Sequence, residues 1–191
     1  MKHKKVEFEY IEVPQSSWAV RKTMGKVGEM GGLPIVHISG QGRQQTNAVL
    51  RSLGIQYGYY NPTDWKTCGM IDMICDCYSD AFNAIAKTLF MSDEERPAET
   101  EKIRDGVLRN FLTICEKQLD RSGKKFLVSD DLTIADFCLA SFIFNILKND
   151  IGPFKAAFNP LFLEFPLVGA YSHRLQTELA KHLNTREQKF F

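Results

Sequence analysis

The segment Leu132-Thr133-Ile134-Ala135-Asp136-Phe137 constrains this 191-residue chain more tightly than any other. Thr133 stands where its hydroxyl can accept from the Asp136 N–H, and the Asp136 carboxylate can reach back to the Thr133 N–H. That is a capping box with Asp in place of the commoner Glu. Leu132 and Phe137 flank it as the two halves of a hydrophobic staple. The run that follows, Ile134–Lys148, is apolar on nearly every face, with Phe137, Leu139, Ala140, Phe142, Ile143, Phe144 and Ile146. Such a pattern predicts a helix at the centre of a core, ended by Gly152 and Pro153.

The rest of the C-terminal part also reads as helix. Asp64–Met91 carries Ile71, Ile74, Cys75, Tyr78, Phe82, Ile85 and Leu89 at mixed spacings of three and four, an amphipathic stripe. Asp72, Asp76 and Asp80 recur every four residues and form an acidic line along it. The usual meaning is a solvated face, although like charges at this spacing invite a cationic partner. After the break Ser92–Ala98, a second long helix runs over Glu99–Ser122 with Phe111, Leu112 and Cys115 on its apolar side. Pro166–Leu183 is a last amphipathic helix, and Asn184–Phe191 is a polar tail ending in two phenylalanines.

The N-terminal part alternates differently. Val6–Val13 reads as a strand, because Val6, Phe8, Tyr10 and Ile11 alternate imperfectly with Glu7, Glu9 and Glu12. Gln15–Met30 is a polar connection with one short irregular helix. Leu33–Ser39 is a second strand, with Leu33–Pro34 a candidate cis bond. A turn at Gly40-Gln41-Gly42 leads to a short strand at Arg43–Gln45. Thr46–Tyr57 is a helix that Thr46 can cap, and Asn61-Pro62 marks a linker. On local pattern alone, Leu33–Arg51 is an ordinary strand–turn–helix joint. It is also a cradle for an extended peptide, since free N–H groups at a helix start attract a carboxylate.

Composition narrows the class. Hydrophobic residues make up 44% and charged residues 25%, as in soluble globular proteins. A net charge of +1 makes no electrostatic case for nucleic acid or an anionic membrane, and the basic run Met1–Lys5 reads as a solvated terminus. No apolar run approaches the roughly 20 residues of a membrane span. Five cysteines without a C-x-x-C pair point to reduced thiols in the cytoplasm. Cys75 and Cys77 fall on different helix faces, and the four histidines are scattered, so no metal site is expected.

The stretch "LPIV…QQTNAVLRSLG" resembles the glutathione-binding stretch of glutathione S-transferases, most like the sigma class, and the L-T-x-A-D box resembles the hallmark of that family's C-terminal domain. The resemblance implies an α/β plus all-α fold. A partial thioredoxin-like glutathione-binding domain would cover 1–60, and an all-helical domain 61–191. It implies glutathione as ligand or cosubstrate. Leu33 and Pro34 would pair with its cysteinyl backbone, and Gln45 and Thr46 would hold its γ-glutamyl carboxylate. Trp18 and Lys22, four residues apart, would meet its glycine end, and Asp80 would reach the glutathione amine across a dimer. The same match places Val6–Val13 on the family's second strand. The first strand, the first helix and the catalytic Tyr, Ser or Cys then have no counterpart, and no catalytic residue carries over. The expectation is a non-catalytic interaction or structural subunit that still binds glutathione. It would act as a homodimer or as a pseudo-dimer with a related chain, with an assembly partner covering the missing strand. The alternative is an active transferase conjugating glutathione to electrophiles.

Overall fold

The structure, a computed structural model, describes residues 6–25 and 28–187. The basic run Met1–Lys5 and the last four residues of the tail, with its two phenylalanines, lie outside them. The chain opens with residues 6–14 in no regular element, then α1 (Gln15–Thr23). An antiparallel hairpin follows, β1 (Val36–Ile38) with β2 (Gln41–Arg43), in the register Val36 opposite Arg43 and Ile38 opposite Gln41. The Leu33–Pro34 bond just before β1 is cis.

The expected strand Val6–Val13 does not form. A strand exists only when its backbone is paired, and β1 with β2 is the only pair among the described residues. Residues 7–12 are all exposed, so their alternation has no buried face to serve. The strand expected at Leu33–Ser39 shrinks to three residues because Ser39 and Gly40 already turn with positive φ.

Helix α2 (Thr46–Tyr57) begins one residue earlier than a Thr46 cap requires. Gln45 occupies the cap position with φ of 69°, so Thr46 is the first helical residue and makes no side-chain cap. Gly54 of α2 packs close. A Cβ built there would stand 2.8 Å from Tyr60 Cβ and 2.9 Å from Ile134 Cγ2.

The helical part comprises α3 (Trp65–Thr88), α4 (Arg96–Ile103), α5 (Arg109–Ser122), α6 (Ile134–Phe142), α7 (Lys155–Phe162), α8 (Pro166–Glu178) and α9 (Ala180–Thr185). Asp64 caps α3 by accepting from the Thr67 N–H at 3.2 Å. The helix expected over Glu99–Ser122 is interrupted. A π-helical stretch at Arg104–Leu108 joins α4 to α5, with Gly106 at φ −102° and ψ −105°. Glycine and a wide turn are ordinary causes of such a kink. A second π-helical stretch, Ile143–Leu147, extends α6.

Helix α6 is the centre, as its sequence predicts. Ile134, Ala135, Cys138, Leu139, Phe142 and Ile143 are buried, and Phe142 meets Phe111 of α5 edge-on at 5.5 Å between ring centroids. Both arms of the Thr133–Asp136 capping box form. The Asp136 carboxylate accepts from the Thr133 N–H at 2.6 Å, the Thr133 hydroxyl at 2.9 Å, the Leu127 N–H at 2.9 Å and the Tyr171 hydroxyl at 2.6 Å. A fully buried carboxyl is tolerable only with donors of this number. The result is a small two-stranded sheet of partial thioredoxin-like type beside a helical domain.

Candidate functional site

Between the hairpin unit and α3 lies a cleft of about 510 Å³. One wall comes from Met30, Gly32, Leu33 and Pro34. The start of α2 supplies Gln44, Gln45, Thr46 and Asn47, and α3 contributes Tyr78, Ser79, Phe82 and Asn83. None of these side chains carries a formal charge. The positive end of the α2 dipole at Thr46 is therefore the electrostatic feature that faces an incoming anion.

Each wall has its own support. Gln44 clamps the loop before Leu33: its Oε1 accepts from the Met30 N–H at 2.9 Å, and its Nε2 donates to the Gly32 carbonyl at 2.7 Å. Gly28 lies against the same amide with φ of 66°, and a Cβ there would come within 2.5 Å of Gln44 Oε1. Helix α2 is tied to α3 by the acidic line. Arg51 Nε donates to Asp72 Oδ1 at 2.8 Å, Tyr60 donates to Asp72 Oδ2 at 3.0 Å, and Asn47 Nδ2 donates to Asp76 Oδ1 at 2.5 Å. Two of the three acids thus brace the cleft, and Arg51 is the cation that the line calls for.

The hydroxyls at the cleft are already engaged on the α3 side. Ser79 donates to the Cys75 carbonyl at 2.9 Å, and the Tyr78 hydroxyl lies 3.1 Å from Ser141 Oγ. Burial pushes the Tyr78 phenol above its ordinary pKa.

Of the seven site residues expected from sequence, Leu33, Pro34, Gln45 and Thr46 line this cleft together. Trp18 and Lys22 sit on α1, half-buried and exposed respectively, and do not line it. Asp80 is exposed on α3 and lines a separate hollow of about 390 Å³ with Cys77 and, from the α5 side, Val107, Asn110 and Phe111. The sequence reading missed Gln44, Asn47, Ser79 and Asn83. A signal existed for the last two, since Ser79 and Asn83 are a polar i, i+4 pair beside the apolar stripe. For Gln44 none existed, because its partners are 12 and 14 residues away.

A family model, "Glutathione S-transferase, C-terminal domain", matches residues 79–186. The chain belongs to the glutathione S-transferase family. Mouse (Mus musculus) Glutathione S-transferase A1 is 26% identical over 174 residues, 90% of this chain and 73% of the relative. Mouse Glutathione S-transferase A4 is 29% identical over 145 residues, covering 76% and 61% respectively. Among solved structures, "rat hPGDS complexed with a quinoline" superposes with a TM-score of 0.80 at 15% identity, covering 99% of this chain and 89% of the other. The "Fasciola hepatica sigma class GST" superposes with a TM-score of 0.77 at 20% identity and the same coverage. These likenesses carry the fold. The glutathione S-transferase fold thus frames a cleft between the hairpin unit and α3. Among the described residues no helix is long and apolar enough to cross a membrane.

Proposed function

We propose that this glutathione S-transferase family member binds glutathione in the cleft between the hairpin and α3, in the manner of the sigma class, and serves as a non-catalytic binding or assembly subunit. One observation carries the reading: Leu33 and Pro34 face the start of α2, with Gln45 and Thr46, across a space of about 510 Å³. That volume suits a small peptide-like ligand. The Leu33 backbone would pair with the cysteinyl unit of the tripeptide. Gln45, Thr46 and the free N–H groups of the first α2 turn would take the γ-glutamyl carboxylate, which the helix end favours. Trp18 and Lys22 would serve the glycine end only if α1 closes toward the cleft.

The non-catalytic part rests on the hydroxyls. Conjugation needs a thiolate, and a thiolate needs a donor or a lowered pKa. The phenol nearest the cleft, Tyr78, is held by Ser141, and burial favours its neutral form. The dimer, or pseudo-dimer with a related chain, is part of the same proposal, with Asp80 as the residue that a second subunit would approach.

Titration with glutathione, followed by amide chemical shifts, tests the site. The expected result is saturable binding with the largest shifts at Gln45, Thr46 and Asn47, lost in the Gln45→Ala, Thr46→Ala double variant. Absence of binding at millimolar ligand overturns it. A conjugation assay with a model electrophile tests the second part, and turnover at ordinary enzymatic rates would make the chain an active transferase.

A further inference from the structure

The turn between α3 and α4 carries a serine followed by three acids, Ser92-Asp93-Glu94-Glu95. Of the serines and threonines in the sequence, only Ser92 and Ser129 are followed directly by two acids, and only Ser92 by three. Residues 92–95 are all exposed, and Phe90 before them is 83% exposed. A segment with so few buried contacts opens at low cost. The Ser92 hydroxyl donates to the Glu95 carboxylate at 3.0 Å and accepts from the Glu95 N–H at 3.3 Å, both at the surface. No ion pair among the described residues includes Glu94 or Glu95. The three residues before the serine, Leu89, Phe90 and Met91, carry no charge. A partner that reads cations ahead of the hydroxyl finds none there, while a basic groove that reads carboxylates after it finds three.

Arg96, the first residue of α4, lies against the same turn. Its Nε donates to the Thr88 carbonyl at 3.1 Å, one Nη to the Met91 carbonyl at 2.9 Å, and the other to Asp93 Oδ1 at 2.7 Å. Two neutral carbonyls thus hold the guanidinium beside Ser92. Its third bond goes to an exposed carboxylate, which a phosphate dianion can displace.

Ser129 makes the contrast. Its hydroxyl donates to the Asp131 carbonyl at 2.5 Å, and its own carbonyl accepts from the Phe126 N–H at 2.9 Å. Asp130 is paired with Lys124 at 3.0 Å, and Leu132 and Phe126 are buried. That loop is pinned to the core, and the acids after its serine are partly neutralised.

We propose that Ser92 is a phosphorylation site for an acid-directed protein kinase, one whose basic groove reads the carboxylates after the acceptor hydroxyl. The Ser92 oxygen attacks the γ-phosphorus of ATP. The new O–P bond forms as the bond to the β,γ-bridging oxygen breaks, ADP leaves, and the hydroxyl proton passes to the kinase's base. The product repels the Glu95 carboxylate, which ends their hydrogen bond, and draws Arg96 away from Asp93. The site shares no residue with the glutathione cleft.

The test is incubation of the folded whole chain with casein kinase II, ATP and magnesium, followed by intact mass measurement and fragmentation of the tryptic peptides. The expected result is one added phosphoryl group, on Ser92. Ser92→Ala should abolish it, and Ser129→Ala should leave it unchanged. The variant Asp93→Asn, Glu94→Gln, Glu95→Gln keeps the acceptor and should slow incorporation by about tenfold or more, the order of one lost charge-assisted contact. A melting curve on each variant shows that it is folded. In the phosphorylated chain the Arg96 Nε–H resonance should shift while the amides of Gln45 and Thr46 stay in place. An unmodified chain overturns the proposal, as does modification of Ser129 in preference to Ser92. Incorporation only above the melting temperature, or equal rates with and without the three acids, overturns it too. An unmoved Arg96 resonance overturns the part given to Arg96.

Discussion

The Tyr171 hydroxyl donates to Asp136 Oδ1 at 2.6 Å, joining α8 to the first turn of α6 across 35 residues of sequence. The Leu127 N–H reaches both groups, Oδ1 at 2.9 Å and the Tyr171 oxygen at 3.2 Å. The capping box is thus not a local device alone. It anchors the loop before it and the helix packed over it.

Tyr171→Phe should therefore destabilise the protein by about 1–2 kcal/mol, the cost of one hydrogen bond to a buried charged or polar group. Thr133→Ala should cost about 1 kcal/mol as a lost cap. Asp136→Ala should cost more than either, about 3 kcal/mol, because it strands the Leu127 and Thr133 N–H groups in the core. Denaturant unfolding monitored by circular dichroism gives the three values. An Asp136→Ala cost no greater than that of Thr133→Ala would mean that the carboxylate serves the cap and nothing else.

Asp136 also makes a pH prediction. Burial holds its carboxyl above the ordinary value of 3.8, and the four donors only partly offset this. A folded-state pKa above the unfolded one means that the folded chain holds the proton more tightly. The stability gained that way is complete below about 3.9 and is lost as pH rises through the folded-state value. Site-resolved carboxyl NMR should show a midpoint above 3.8; a midpoint below it would mean that hydrogen bonding outweighs burial.

Two glycines should respond in opposite directions to alanine. At Gly54 the new methyl would meet Tyr60 Cβ and Ile134 Cγ2 at under 3 Å. Overpacking of this kind costs about 1–3 kcal/mol, more than the helix propensity gained. Gly69 on α3 has nothing within 4 Å of an added Cβ. Gly69→Ala should stabilise by about 0.5–1 kcal/mol. Melting midpoints that move the same way would refute the contrast.

Gln44 should matter for the cleft although it is not placed on the ligand. Gln44→Ala removes the bridge between the Met30 N–H and the Gly32 carbonyl. Exchange of the Met30 amide should then accelerate by roughly an order of magnitude, and glutathione binding should weaken with it. Gln44→Glu gives a sharper readout. Its ionised carboxylate would face the Gly32 carbonyl, while the protonated form can donate to it. Binding in that variant should recover as pH falls; recovery absent down to the unfolding limit would remove Gln44 from the account of the cleft.

Local stability should follow the same division. Amide exchange should be slow across Ile134–Phe142, where most residues are buried, and fast across residues 7–12, which are exposed and lie in no strand. Strong protection at 7–12 in the isolated chain would show a strand pairing beyond that of β1 with β2.

The sequence by itself determined the helical domain. The capping box at Thr133–Asp136, the all-round apolar α6 and the stripe of α3 are local patterns whose meaning is settled within a few turns of chain. So is the joint at Leu33–Pro34 and Thr46, whose residues lie close in sequence. Tertiary structure decided what local pattern cannot. Alternation in Val6–Val13 is real, but a strand is a property of two segments, and among the described residues the only strand pair is β1 with β2. Gln45 takes the cap of α2 because the turn from β2 arrives there with positive φ. Asp72 and Asp76 read as a solvated face, and became braces only when α2 packed beside α3 and brought Arg51 and Asn47 to them. Asp80, identical in sequence terms, met no such neighbour among the described residues.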